Sequence, residues 1–111
     1  MPAYVILEHD WPTQHWDLLL DVGDRLLAWR LWQEPELGKA IACEPNQDHR
    51  RVYLEYEGPL TGDRGRVLRW DHGEYEQVGP RVYHLRGQRM QARFEFSVTD
   101  DGCFCCDLRP D

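Results

Sequence analysis

Long apolar runs are missing from this sequence. No stretch approaches the roughly 20 residues that a membrane span requires, so no membrane partner is expected. The opening Met1-Pro2-Ala3-Tyr4 lacks a basic region followed by an apolar stretch, so no signal peptide is expected and the cytoplasm is the expected location. Paired C-x2-C spacing is also missing. The four cysteines are Cys43, Cys103, Cys105 and Cys106, and in a reducing compartment they read as packing thiols rather than a zinc site or a disulfide framework. Lysine is nearly absent: twelve of the thirteen basic residues are Arg, whose planar fork suits phosphate. Convincing helical periodicity, internal repeats, linkers and low-complexity segments are absent as well. Excess positive charge is lacking too, since the net charge of −7 argues against a general nucleic-acid coat protein. The charge is uneven, however, and Arg81, Arg86, Arg89 and Arg93 occur with no acid between them.

What is present is a chain of 111 residues, 41% apolar and 12% aromatic, enough for one folded domain over 1–111 with its own core. Short apolar runs closed by Gly, Pro or Asp cover it. They predict strands over Tyr4–Glu8, His15–Val22, Arg25–Trp32, Lys39–Glu44, Arg66–Trp70, Glu74–Val78, Arg81–Leu85, Met90–Val98 and Cys103–Leu108. Gly23-Asp24 is hairpin chemistry, Pro45-Asn46-Gln47-Asp48 is expected to stop the fourth strand, and Asp71-His72-Gly73 is expected to be a tight turn. His49–Gly58 reads as a strand or an extended loop. Many short strands without helices give an all-β class, and closure into a small antiparallel barrel removes exposed edges.

The chemistry concentrates in His9-Asp10-Trp11-Pro12-Thr13-Gln14-His15-Trp16-Asp17. Strand alternation puts His15, Asp17 and Leu19 on one face and Trp16, Leu18 and Leu20 on the other, where they can pack a core. A fold-back through Pro12 brings His9 beside His15. Two imidazoles and one carboxylate then form a 2-His-1-carboxylate set that leaves positions open for water or substrate. Histidines at a strand end that merely hydrogen-bond, with Asp10 or Asp17 orienting a ring, are the alternative, and spacing alone leaves both open.

Taken along the whole chain, these motifs resemble those of the 3'-phosphoesterase module of bacterial DNA ligase D, which also has small stand-alone relatives. The pattern H-D-x4-H-x-D-x-R is similar to His9-Asp10…His15-Trp16-Asp17-Leu18-Leu19. The strand W-A-V-P-K-G-P is similar to Trp29–Pro35. D-H-x3-Y-x2-F-E-G is matched by Asp48-His49, Tyr53, Tyr56, Glu57 and Gly58. G-x-V-x-x-W-D-x-G is matched by Gly65–Gly73, and the late L-x-G…R-F pattern by Leu85-Arg86-Gly87 and Arg93-Phe94.

The resemblance implies a compact β barrel with a divalent metal in a groove. Manganese is the typical ion, with Zn2+ or Fe2+ as alternatives. It implies removal of a 3'-ribonucleotide or 3'-phosphate from a DNA primer end in repair, with a separate ligase or polymerase acting in trans. It puts the metal ligands on His9, His15 and Asp17, and the catalytic, phosphate-contacting residues on His49 and Tyr53. Two phosphate-facing cations of the family are replaced here, an arginine by Leu19 and a lysine by Gln33; a further arginine aligns with Lys39 when a two-residue insertion is allowed. Compensation is expected from Arg50, Arg51 or the Arg81–Arg93 group. The replacements leave a second reading open, a metal-binding relative without turnover that serves as a nucleic-acid or protein interaction module. A non-haem iron oxygenase is a third, since the same donor set serves iron.

Overall fold

The computed structural model describes residues 1–110. They form nine strands and one 3-10 turn of helix, Arg51–Leu54. The strands are β1 (Ala3–His9), β2 (His15–Asp21), β3 (Leu26–Leu31), β4 (Ala40–His49), β5 (Gly58–Pro59), β6 (Arg66–Gly79), β7 (Val82–Gly87), β8 (Gln91–Val98) and β9 (Phe104–Pro110). All pairings are antiparallel, in the order β1-β2-β3-β4-β9-β8-β7-β6, and β6 returns to pair with β1. The expected closed antiparallel barrel is therefore formed, with the two-residue β5 as an addition along β6.

Alternation along the strands fills the barrel. Tyr4 and Ile6 of β1, Leu18 and Leu20 of β2, Leu31 of β3, and Leu85, Phe94, Phe96 and Leu108 form the interior, with Trp16 and Trp29 packed against it. The opposite face of β1–β3 is also covered. Val5, Leu7, Leu19, Leu26, Ala28 and Val67 make a second cluster, capped by Tyr53, Leu54, Tyr56 and Leu60. The segment expected as a strand or loop after His49 is thus the short helix and its flanks, folded back as a lid over the outside of the barrel wall. Its aromatic and Leu side chains drive that docking, because leaving the second cluster bare would expose apolar area to water.

Two expectations about strand ends are corrected. Pro45 does not stop β4, which continues to His49 with Pro45 opposite Trp29. The neighbour β9 ends its pairing at Cys43, so β4 is an edge strand beyond it, and a residue without an N–H is tolerated on an open edge. Asp71-His72-Gly73 is not a turn either; it lies inside the fourteen-residue β6. Gly73 is required there by close packing, since a Cβ would lie 2.0 Å from the Arg86 carbonyl oxygen. Asp71 is buried and satisfied: it accepts from the Tyr4 hydroxyl at 3.2 Å and from the backbone N–H groups of His72, Arg89 and Met90 at 2.8, 2.9 and 3.2 Å. Burial, and then the nearby Asp71 charge, push the Tyr4 phenol far above its ordinary pKa.

Three bulges shape the wall, one of them at Val78 between β6 and β7. Between β1 and β6, Ile6 faces Asp71 and Leu7 faces Arg69, so Trp70 is an extra residue. Between β3 and β4, Ala28 faces Asn46 and Leu26 faces His49, so Gln47 and Asp48 oppose Leu27 alone. A bulge re-aims side chains. It lets Asn46 and His49, three residues apart, line the same groove.

Candidate metal centre

β1 and β2 form a hairpin whose last rung pairs His9 with His15. Directly opposed residues of an antiparallel pair share a face, so the two rings meet, 4.8 Å apart at their centroids and inclined by 66°. Asp17, two residues beyond His15, projects to the same side. The Asp17 Oδ2 atom lies 3.2 Å from His15 Nε2 and 3.8 Å from His9 Nδ1. The three donor atoms all fall within 4.8 Å of one another. They sit on the outside of the barrel wall, at the floor of a groove of about 270 Å³. His15 is 0% and Asp17 3% exposed.

A backbone carbonyl stands behind each ring, and in front His15 Nε2 is within hydrogen-bond distance of Asp17 Oδ2, 3.2 Å. His15 Nδ1 is 2.8 Å from the Thr13 carbonyl oxygen, and His9 Nε2 is 2.9 Å from the Arg64 carbonyl oxygen. A carbonyl only accepts, so each of these nitrogens carries the hydrogen. In the neutral rings, His15 Nε2 and His9 Nδ1 then hold lone pairs, and both face the Asp17 carboxylate. Three electron-pair donors turned on one point in a buried place repel one another unless a cation stands among them. A proton serves in part: the Asp17 hydrogen bond is the main cause that raises the His9 pKa above 6.5. Burial pushes the Asp17 carboxyl up, but His15 and His9 together overbalance it and hold it down to about 2. The residues fit a divalent cation, with backbone carbonyls fixing both rings from behind, the arrangement typical of ligating histidines.

Asp10 acts at one remove. Its Oδ1 accepts from the Arg66 N–H at 2.9 Å and lies where a Cβ on Gly65 would come within 2.2 Å. Gly65 has φ +75°. The carboxylate thereby pins the 61–66 loop against the β1–β2 connection and holds the Arg64 carbonyl on His9.

His49 closes β4 and also lines the groove. Its Nδ1 donates to the Gln47 carbonyl oxygen at 2.9 Å, which leaves Nε2 available. Tyr53, on the short helix, packs edge-on against His49 with centroids 5.8 Å apart and lines the groove while capping the second cluster. Four of the five singled-out residues, His9, Asp17, His49 and Tyr53, thus line one groove, and His15 lies buried beneath it against Asp17. Trp11, Asn46 and Gln47 line it as well and were not singled out by sequence.

The cations are distributed differently from expectation. Arg51 pairs with Asp21 at 2.7 Å, and the Arg50 guanidinium lies over the Tyr53 ring. Neither Arg50 nor Arg51 lines the groove, and neither does any residue of the Arg81–Arg93 group. Gln33 is outside it too. The Arg that does reach the site is Arg30, which pairs with Asp17 across the β2–β3 ladder; its Nε is 3.8 Å from Asp17 Oδ1. Cross-strand position is invisible in a one-dimensional motif, although the hairpin turn at Gly23-Asp24 was signal enough to compute that register.

With the site described, comparison with known proteins is decisive on kinship. Residues 7–100 match the DNA Ligase D 3'-phosphoesterase domain family. The chain belongs to that family. The match covers the hairpin with His9, His15 and Asp17, the lid with His49 and Tyr53, and the strands through β8. No curated protein matches the sequence. Among the described residues, no helix is long and apolar enough to cross a membrane.

The family motifs divide between site and scaffold. His9, Asp17, His49 and Tyr53 line the groove, with His15 buried beneath them. Asp48 instead accepts from Arg25 Nε at 2.6 Å, and Glu57 accepts from the Arg69 N–H at 2.7 Å. Asp71, Gly73 and Gly87 lock the β1–β6–β7 corner, where a Cβ on Gly87 would fall 2.2 Å from Asp71 Oδ2. The cysteines are all free. Cys43 and Cys106 are buried in the barrel interior as expected of packing thiols, whereas Cys103 is exposed.

Proposed function

We propose that the protein is a divalent-metal-dependent phosphoesterase that acts on the 3' end of DNA in repair, removing a 3'-phosphate or 3'-ribonucleotide. Membership of the 3'-phosphoesterase domain family supports the reaction class. The observation that carries the metal dependence is the convergence of donor atoms: His9 Nδ1, His15 Nε2 and Asp17 Oδ2 face one point, with a backbone carbonyl behind each ring. His9, His15 and Asp17 would hold the ion, and the family resemblance makes Mn2+ the candidate, with Zn2+ or Fe2+ as alternatives for the same donors. When bound, it supplies charge neutralisation at a phosphoryl oxygen.

The remaining steps belong to the chain. His49, its ring held by Gln47 and Tyr53, has Nε2 turned free; in the imidazolium form that nitrogen donates a proton to the leaving oxygen or a hydrogen bond to the phosphate. Tyr53 supplies a phenol at the same wall. Trp11, at the groove rim and 43% exposed, offers a flat apolar surface beside the site. A ligase or polymerase partner would act in trans on the trimmed end.

The test is a 3'-phosphate primer–template incubated with the protein and Mn2+, next to His9→Ala. Conversion to a 3'-hydroxyl end that the variant loses is the expected result. Full conversion by the variant would sink the assignment.

A further inference from the structure

The geometry points to Arg30 as the phosphate-binding guanidinium of this site, supplied from β3 in place of a cation at position 19 on β2; this rests on the phosphoesterase reading. Leu19 is 0% exposed and packs with Val5, Leu26, Ala28 and Val67 in the second cluster. On the ladder Leu19 pairs with Ala28, and Asp17 pairs with Arg30. All four share the outer face. The cationic position thus lies two rungs, one step on the same face, toward the β1–β2 hairpin end of the wall, where the groove opens, and an apolar side chain fills the rung at Leu19.

Arg30 is not consumed by the fold. Its side chain is 24% exposed and lines the groove, yet its Nε is buried and has no hydrogen-bond partner among the described residues. The facing Asp17 Oδ1 is likewise without a partner among them, and the two atoms are 3.8 Å apart, beyond hydrogen-bond length. A buried donor left unpaired beside a groove marks a place where a ligand completes the bonding. The guanidinium lies 5.6 Å from the Trp32 ring centroid, and Trp32 in turn packs edge-on against His15. Trp32 therefore ties the guanidinium to the metal-ligand cluster. Arg64, the other Arg lining the groove, is folded back: its Nε and Nη2 donate to the carbonyl and hydroxyl oxygens of Thr61 at 2.8 and 3.2 Å.

Charge balance names the ligand class. A divalent ion, the Asp17 carboxylate and Arg30 sum to +2, which matches a terminal phosphomonoester, close to −2 at neutral pH, better than an internal diester at −1. Arg30 is thereby a specificity-determining residue for a 3'-terminal phosphate.

The test is fluorescence anisotropy with Mn2+, using a labelled primer duplex that ends in a non-hydrolysable 3'-difluoromethylenephosphonate and a matched 3'-hydroxyl duplex. Wild type should prefer the phosphonate. Arg30→Met should reduce that preference by about tenfold or more, as expected for a charge-assisted bidentate contact, and Arg30→Lys should reduce it by less. Mn2+ affinity, measured calorimetrically, should stay level or tighten in Arg30→Met, because a cation beside Asp17 opposes the metal; an Arg30 that merely held Asp17 in place would weaken it. If Arg30→Met melts without cooperativity, the Lys variant decides. Unchanged preference in Arg30→Met, or in Arg30→Lys where Met does not fold, overturns the role of Arg30 and leaves the phosphoesterase reading standing. No preference in wild type overturns both.

Discussion

Inside the barrel, Ile6, Leu18, Leu20 and Phe94 pack without a polar atom among them. On the outer face of the same β1 and β2, His9, His15 and Asp17 stand beside Leu7 and Leu19. Both faces are buried, but they are buried for different ends. The interior gains its stability by removing apolar area from water. The outer face surrenders some, since it buries three electron-pair donors that repel one another and two partnerless atoms, Asp17 Oδ1 and Arg30 Nε. Polar burial without mutual satisfaction is costly to a fold and useful to a ligand site. The contrast teaches that in a small barrel the wall can serve as floor of a site when a lid, here Arg51–Leu54 and its flanks, shields its far side.

The comparison breaks most sharply at paired substitutions. Phe94→Ala should destabilise by about 3–5 kcal/mol, lowering Tm by more than ~10 °C, whether or not Mn2+ is added. His15→Ala should lose under about 2 kcal/mol in the apoprotein, as a buried polar group that the fold itself leaves in conflict. It should, however, lose the stabilisation that Mn2+ gives wild type, about 2.7 kcal/mol at a hundred times Kd. Thermal melts with and without Mn2+ check both, and a His15→Ala protein still stabilised by Mn2+ would remove the metal centre from the outer face.

Asp10→Ala comes next. The lost hydrogen bond to the Arg66 N–H should lower stability by about 1 kcal/mol. Loosening the Arg64 carbonyl behind His9 should weaken Mn2+ binding by up to about tenfold. Denaturant titration and calorimetry measure the two, and an unaltered Mn2+ affinity would show that the Arg64 contact is dispensable for His9.

The smallest effect is a dependence on pH. The His9 pKa is raised in the fold, so the folded apoprotein holds that proton more tightly than the unfolded chain does. The resulting stability is complete below the ordinary value of 6.5 and is lost as pH rises through the raised value. A metal bound as proposed would compete for the same nitrogen and do best above it. Hence from about pH 6 to about pH 8 the His9 contribution should lower the Tm of the apoprotein, while the gain in Tm on adding Mn2+ should grow. Asp17, held at about 2, stays ionised throughout and takes no part in the change. In His9→Gln the apoprotein decline should disappear; its persistence would assign the titration to another group.

Much of this was legible from local spacing. Alternation puts Asp17 and His15 on one face, and a hairpin of short connection brings His9 opposite, so the donor set follows from residues 9–17 alone. Turn residues at Gly23-Asp24 and Gly102 give the strand count its main lines. Pro45 and Asp71-His72-Gly73 misled, because a proline stops a strand only where its missing N–H would face a partner, and an Asp-x-Gly sequence makes a turn only where nothing packs against the glycine. Arg30 escaped notice for a similar reason: its significance is a rung of the ladder, not a spacing in the chain.

By itself, then, the sequence determined the all-β class, the family, and the grouping of His9, His15 and Asp17, since strand period and hairpin closure are short-range properties. The tertiary structure decided the rest. The tautomer of His9 depends on a carbonyl 55 residues away, the convergence of His49 and Tyr53 on a bulge and a docked helix, and the cation beside Asp17 on a register between strands. The first two are set by packing between distant segments, which no local propensity encodes; the third is a hairpin register that shows only once β2 and β3 are laid side by side.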